Sequence, residues 1–219
     1  MSRLLLKPLA VACLAFGALS ASAFTVTHLG SANGSVAATF SVTAPNAGAS
    51  GNTLAGGFKS SLDGGATSFT TYCVDLYQFI GTSSNYTLVP GATHFVAPHA
   101  SANADLGKLY SFHSLVHSAT SEAAFQLAVW EIAFETSGFY NLGAGTAKFT
   151  SSAAVTALAT SWLTSLPATS AFNVRVLESA TRQDLVFATP AVPEPSTYAL
   201  MAAGLLSAVF VARRRAPKR

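Results

Sequence analysis

The chain has 219 residues, half of them apolar and a tenth charged, with a formal net charge of +3. Seven of its twelve basic residues lie before Phe24 or after Ala212, so between Phe24 and Val192 five basic residues face eight acidic ones, a net −3. A body this lean in charge argues against a nucleic-acid partner, and its length suits one domain with a sizeable core.

In chain order, the first 23 residues read as a secretory signal peptide. Arg3 and Lys7 supply the charged region, residues 9–19 the apolar region, and Ala21-Ser22-Ala23 a small-x-small cleavage site, so the mature chain should begin at Phe24. Cys13 lies inside the apolar region, and Ala10-Val11-Ala12 before it is a poor lipoprotein match. Cys73 is then the only cysteine left after processing, which excludes an intramolecular disulfide.

Residues 24–29 and 35–42 alternate apolar and polar positions and predict strands, whereas residues 43–53, with Pro45, Gly48 and Gly51, predict a loop. Residues 54–62 predict a strand broken at Gly56-Gly57, followed by a turn at Asp63-Gly64-Gly65. Residues 68–79 form the best strand, and residues 86–89 and 94–96 suggest a hairpin around Pro90-Gly91. The spacing then becomes helical. Residues 101–118 place Leu106, Leu109, Tyr110, His113 and His117 at steps of three and four. A second helix spans 121–134 with Ser121 as N-cap and Gly138 closing the segment, and a third spans 151–166, stopped by Pro167. Residues 172–177 and 185–188 are closing strands. The fold class is therefore α+β: a strand-rich first half, two or three central helices, and closing strands, over residues 24–190.

The C-terminal 191–219 form a third unit. Val192-Pro193-Glu194-Pro195-Ser196 is a proline-stiffened strap, residues 197–212 are an uncharged apolar run read as one transmembrane helix, and Arg213-Arg214-Arg215 opens a basic stop over 213–219. At about 1.5 Å per residue that run is short for a hydrocarbon core of about 30 Å unless flanking residues snorkel. The three parts together resemble the PEP-CTERM sorting signal of Gram-negative bacteria. That resemblance implies Sec-dependent export, a precursor held in the inner membrane, cleavage near Pro-Glu-Pro by an exosortase, and delivery to the cell envelope or extracellular matrix of bacteria that make exopolysaccharide.

Two stretches of the body carry chemistry. Thr71-Tyr72-Cys73-Val74 puts a thiol on a strand, and Phe125-Gln126-Leu127-Ala128-Val129-Trp130 puts a carboxamide in the most apolar part of a helix, with Trp130 at i+4. A buried Gln without partners costs about 1–3 kcal/mol, so Gln126 needs an explanation. On the bland reading, Cys73 is a small buried hydrophobe and Gln126 bonds a neighbouring backbone. These residues also resemble the thioester domains of bacterial surface adhesins, in an aromatic-Cys-apolar motif (Tyr72-Cys73-Val74) and a Thr-Gln-x-x-apolar-Trp motif (Gln126 to Trp130), with Phe125 where the family has Thr. The resemblance implies a Cys73–Gln126 thioester, flanked by Tyr72 and Trp130, that captures an amine on a surface partner.

Other candidates read as structural. His113 and His117 stand at i, i+4 without the Glu that zinc-protease chemistry requires, and His94 and His99 have no acid at useful spacing. Glu131 and Glu135 should line a polar edge beside Trp130, and Asp75 should bond a turn or meet solvent. No hydrolase constellation, phosphate loop or dinucleotide fingerprint occurs, so the expectation is a non-enzymatic biofilm or cell-surface protein with no catalytic residue, metal or cofactor. The alternative is a non-covalent polysaccharide- or ice-binding domain.

Overall fold

The computed structural model describes residues 23–191 except 45–47, 66 and 97–98. Signal residue Ala21, the strap at 192–196, the apolar run and Arg213–Arg215 lie outside the described residues. Among the described residues no helix is long and apolar enough to cross a membrane.

Among the described residues the strands are β1 (Ala23–Ser31), β2 (Val36–Val42), β3 (Ala49–Ala55), β4 (Phe58–Leu62), β5 (Ser68–Cys73), β6 (Ser83–Pro90), β7 (Ala147–Thr150), β8 (Phe172–Glu178) and β9 (Leu185–Pro190). Six of them close an antiparallel barrel in the order β1-β4-β5-β9-β8-β6, and the others form a second sheet in the order β3-β2-β7. The helices are α1 (Gly91–His94), α2 (Ala102–Leu109), continued by a 3-10 turn at Tyr110–Leu115, α3 (Ala119–Phe134) and α4 (Ala153–Thr164). The α+β reading holds at this coarse level. The barrel and the interruption of the helical region by β7 were not foreseen.

Local chemistry explains where the elements break. Gly56-Gly57 splits the expected strand into β3 and β4. Asp63 and Gly64 adopt φ of 50° and 68°, and the Gly65 N–H donates to the Leu62 carbonyl at 2.8 Å, as in a type I′ turn between β4 and β5. The long strand expected over 68–79 stops at Cys73. Asp75 Oδ1 accepts the Tyr77 N–H at 2.7 Å, an Asx turn that peels the chain off the barrel. Two expectations fail outright. Part of the loop expected over 43–53 is β3, paired along its whole length with β2. The hairpin at Pro90-Gly91 is instead the end of β6 followed by the single turn of α1, because β6 takes β1 and β8 as its partners.

Helix α3 is the centre of the molecule. It packs on β5 of the barrel, on β2, β3 and β7 of the second sheet, and on α2 and α4. All residues from Ser121 to Phe134 are buried, so the helix has no polar face, as expected of one enclosed on every side. Its N-cap is Ser118, not Ser121. Ser121 is the third helical residue and completes a reciprocal capping box with Ser118. The helix ends at Phe134, four residues before Gly138.

Candidate functional site at Cys73 and Gln126

Cys73 is the last residue of β5, at the narrowest seam of the barrel. Only Tyr72–Val186 and Cys73–Leu185 are in register between β5 and β9, and the Val74 N–H extends the seam by donating to the Asp184 carbonyl at 3.0 Å. Gln126 projects from α3 against that seam and is completely buried. Its Oε1 accepts the Cys73 N–H at 2.9 Å and its Nε2 donates to the Cys73 carbonyl at 2.8 Å. The carboxamide is thereby clamped on the peptide groups of the residue with which it was expected to act. Burial without these bonds would cost about 1–3 kcal/mol; with them the side chain is satisfied at Oε1 and Nε2.

The thiol itself faces a residue that no sequence motif indicates. Cys73 Sγ donates to Gln183 Oε1 at 2.7 Å, Gln183 Nε2 donates to the Asp75 carbonyl, and the Tyr86 hydroxyl donates to the Gln183 carbonyl at 3.1 Å. Gln183 lies in the loop from β8 to β9, 110 residues from Cys73. Burial, and then the charge of Asp75, push the Cys73 thiol well above its ordinary range. Asp75 bonds its own turn, as expected, and burial raises its carboxyl despite the N–H groups of Tyr77 and Gln78.

Tyr72 and Trp130 flank the pair from opposite directions. The Tyr72 hydroxyl donates to Glu122 Oε2 at 2.8 Å, and Glu122 also accepts from Asn33 Nδ2 and the Gly57 N–H. Glu122, 1% exposed, is a buried anchor that sequence reasoning missed. Trp130 stacks on Phe149 with ring centroids 5.8 Å apart, and its buried indole N–H has no hydrogen-bond partner among the described residues. A cleft of about 610 Å³ opens over Cys73, Gln183 and Trp130, with Leu54 and Phe79 exposed at its lining.

The remaining candidates separate. Glu131 and Glu135 do not line a polar edge: both are buried and bind the loop after α3. Glu131 Oε1 accepts the Asn141 N–H at 2.6 Å, while Glu135 accepts from Ser137, Thr146 and Ala147. Burial, with Glu135 nearby, pushes Glu131 up to about 8 against the pull of the Asn141 N–H. Burial also opposes the charge on Glu135, but its N–H donors outweigh it and hold that carboxyl below its ordinary value. His113 lies in the 3-10 turn among Tyr72, Tyr110 and Phe125, while His117 follows that turn, so the two do not share a helix. His94 does find an acid: its Nδ1 is 2.7 Å from Glu178 Oε1, brought by β8. Among the described residues no cluster of three or more His, Cys, Asp or Glu could hold a metal.

Residues 191–215 match the PEP-CTERM protein-sorting motif. The chain is therefore marked for export through a membrane-anchored precursor and exosortase sorting to the cell surface. No curated protein and no solved structure matches the chain.

Proposed function

We propose that the exported body is an adhesive surface module that matures by forming a Cys73–Gln126 thioester and then captures an amine on a partner. The observation that supports this most is the clamp of the buried Gln126 carboxamide on Cys73. The Cys73 N–H polarises the Gln126 carbonyl and faces the oxygen on which negative charge gathers during attack. Sγ bonds to Cδ, the Cδ–Nε2 bond breaks, the thiol proton passes to Nε2, and ammonia leaves. The clamp holds the carboxamide on the residue that carries the thiol, and once Sγ turns from Gln183 to Cδ, proximity lowers the barrier. The raised thiol makes the step slow, which suits a single maturation event. An amine entering the cleft then displaces Sγ, leaving an amide to Gln126 and a free thiol, so the protein is consumed and does not turn over. It needs no cofactor or metal.

Intact mass of the mature domain tests this. The expected result is a deficit of one ammonia, abolished by Cys73→Ala and by Gln126→Ala. A full mass with Cys73 unreactive only because it is buried is distinguished by alkylation after unfolding; full mass with a free thiol there rules the thioester out.

One observation favours the non-covalent alternative, in which the body binds matrix polysaccharide or ice. The outward face of the second sheet aligns Asn52, Thr39 and Thr150 in one row and Ser50, Ser41 and Lys148 in the next, all exposed. Rows of this kind repeat at about 6.8 Å along a strand and present hydroxyls, with the Asn52 amide and the Lys148 amine, to a polymer. Binding of the soluble domain to the producer's exopolysaccharide, lost in Thr39→Glu with the thioester mass unchanged, would establish that role.

A further inference from the structure

We propose that the free edge of β3 is a docking edge for an extended segment of a partner polypeptide, which adds as a further strand along the cleft over Cys73. Among the described residues β3 of the second sheet pairs only with β2. Among the described residues no hydrogen bond beyond that ladder reaches the β3 backbone. Six successive residues, Ala49 to Leu54, line the cleft. A strand shows alternate side chains to whatever lies on its face; six in succession means that its edge borders the cleft. The unpaired N–H and C=O groups of such an edge alternate at the spacing that another backbone matches.

Natural edges are usually blocked by charge, proline or a bulge. β3, Ala-Ser-Gly-Asn-Thr-Leu-Ala, has no charged residue and no proline, and its register with β2 runs without a bulge. The rest of the cleft is equally uncharged. Among the described residues no Asp, Glu, Lys, Arg or His lines it, and Phe79, 87% exposed, and Leu54, 65% exposed, both do. Charge matching therefore selects a neutral backbone with apolar side chains at alternate positions, and hydrogen-bond matching selects a polypeptide. Cys73 and Trp130, both nearly inaccessible, lie beneath that track. One lysine on the added strand reaches the Cys73–Gln126 carbonyl as the attacking amine. That last step rests on the thioester reading above; the strand addition does not.

The test uses the peptide acetyl-Thr-Val-Thr-Lys-Thr-Val-Thr-amide, the same peptide N-methylated at every residue so that neither edge can donate, and butylamine as the isolated side chain. Docking is measured first by fluorescence anisotropy of the labelled peptide on the Cys73→Ser domain, which cannot form the thioester. Saturable binding that weakens about tenfold or more on N-methylation, and that Leu54→Asp weakens without lowering the unfolding midpoint, supports the edge. Equal binding of both peptides, or none, overturns it, as does a concentration-dependent dimer abolished by Leu54→Asp, which would assign the edge to a second copy of the chain. With wild-type protein carrying the ammonia deficit, the peptide should form its adduct at least about tenfold faster than butylamine at equal concentration. Equal rates would overturn the lysine placement. Absence of the deficit removes the thioester and leaves the docking result standing.

Discussion

Glu131 is fully buried, with one oxygen on the Asn141 N–H and the other without a hydrogen-bond partner among the described residues. Its folded value of about 8 lies above the ordinary carboxylate range. The folded state therefore binds a proton that the unfolded state releases, and this carboxyl's contribution to stability falls as pH rises from about 4.5 to about 8. Glu131→Gln keeps the acceptor for Asn141 and cannot ionise. Its unfolding free energy relative to wild type should grow by a few kcal/mol between pH 5 and pH 8, on the order of the shift, in urea melts at each pH. A constant difference would mean that Glu131 is charged in the folded protein. Tyr72 carries a different load, since its hydroxyl donates to a buried carboxylate. Tyr72→Phe should cost about 2 kcal/mol by urea denaturation, the scale of a hydrogen bond to a charged group, and should leave the clamp on Cys73 formed.

At the scale of elements, α3 begins with a cap and ends in a loop held by two carboxylates. Ser118→Ala removes one half of the capping box and should cost about 1 kcal/mol. The loop from β3 to β4 depends on Gly57 for a steric reason. A Cβ there would fall 2.5 Å from Glu122 Oε2 and 3.1 Å from the Tyr72 ring. Gly57→Ala should displace both and cost more than the cap. A cost below that of Ser118→Ala, measured in the same denaturation series, would show that the Glu122 side chain moves aside freely.

For the whole molecule, the barrel seam and the tail attachment lie at opposite ends of one strand. Leu185, beside Cys73, begins β9, and Pro190, paired with Phe172, ends it. Five residue steps along the strand separate them by about 17 Å. A body tethered beyond Ala191 thus holds the Cys73 end of β9 away from the attachment point. The enclosure of α3 by both sheets and two helices predicts that its amides, from Phe125 to Ile132, exchange hydrogen only on global opening, while β3 at the free edge exchanges by local opening. Equal protection of β3 and α3 in native-state exchange would contradict the unpaired edge.

Signals carried by a few neighbouring residues were legible in the chain. The sorting motif, the switch from alternating to helical spacing, the turn at Asp63-Gly64 and the strand and helix bearing Cys73 and Gln126 all depend on local composition and backbone preference. Pairings that close long loops were not. Gln183 meets a thiol 110 residues away, Glu178 meets His94 across 84, and Glu122 gathers donors from Asn33 and Gly57. Nor could β3 be recognised, since a Gly- and Ser-rich segment reads as loop until β2 offers it seven partners in register. Local propensity is a weak prior that tertiary pairing overrides, so the sorting of the protein and the residues of its candidate site could be named from the sequence, but not their contacts. Only the packing of α3 between the barrel, the second sheet and two helices decided what those residues touch, because burial and hydrogen-bond partners are properties of the packed chain.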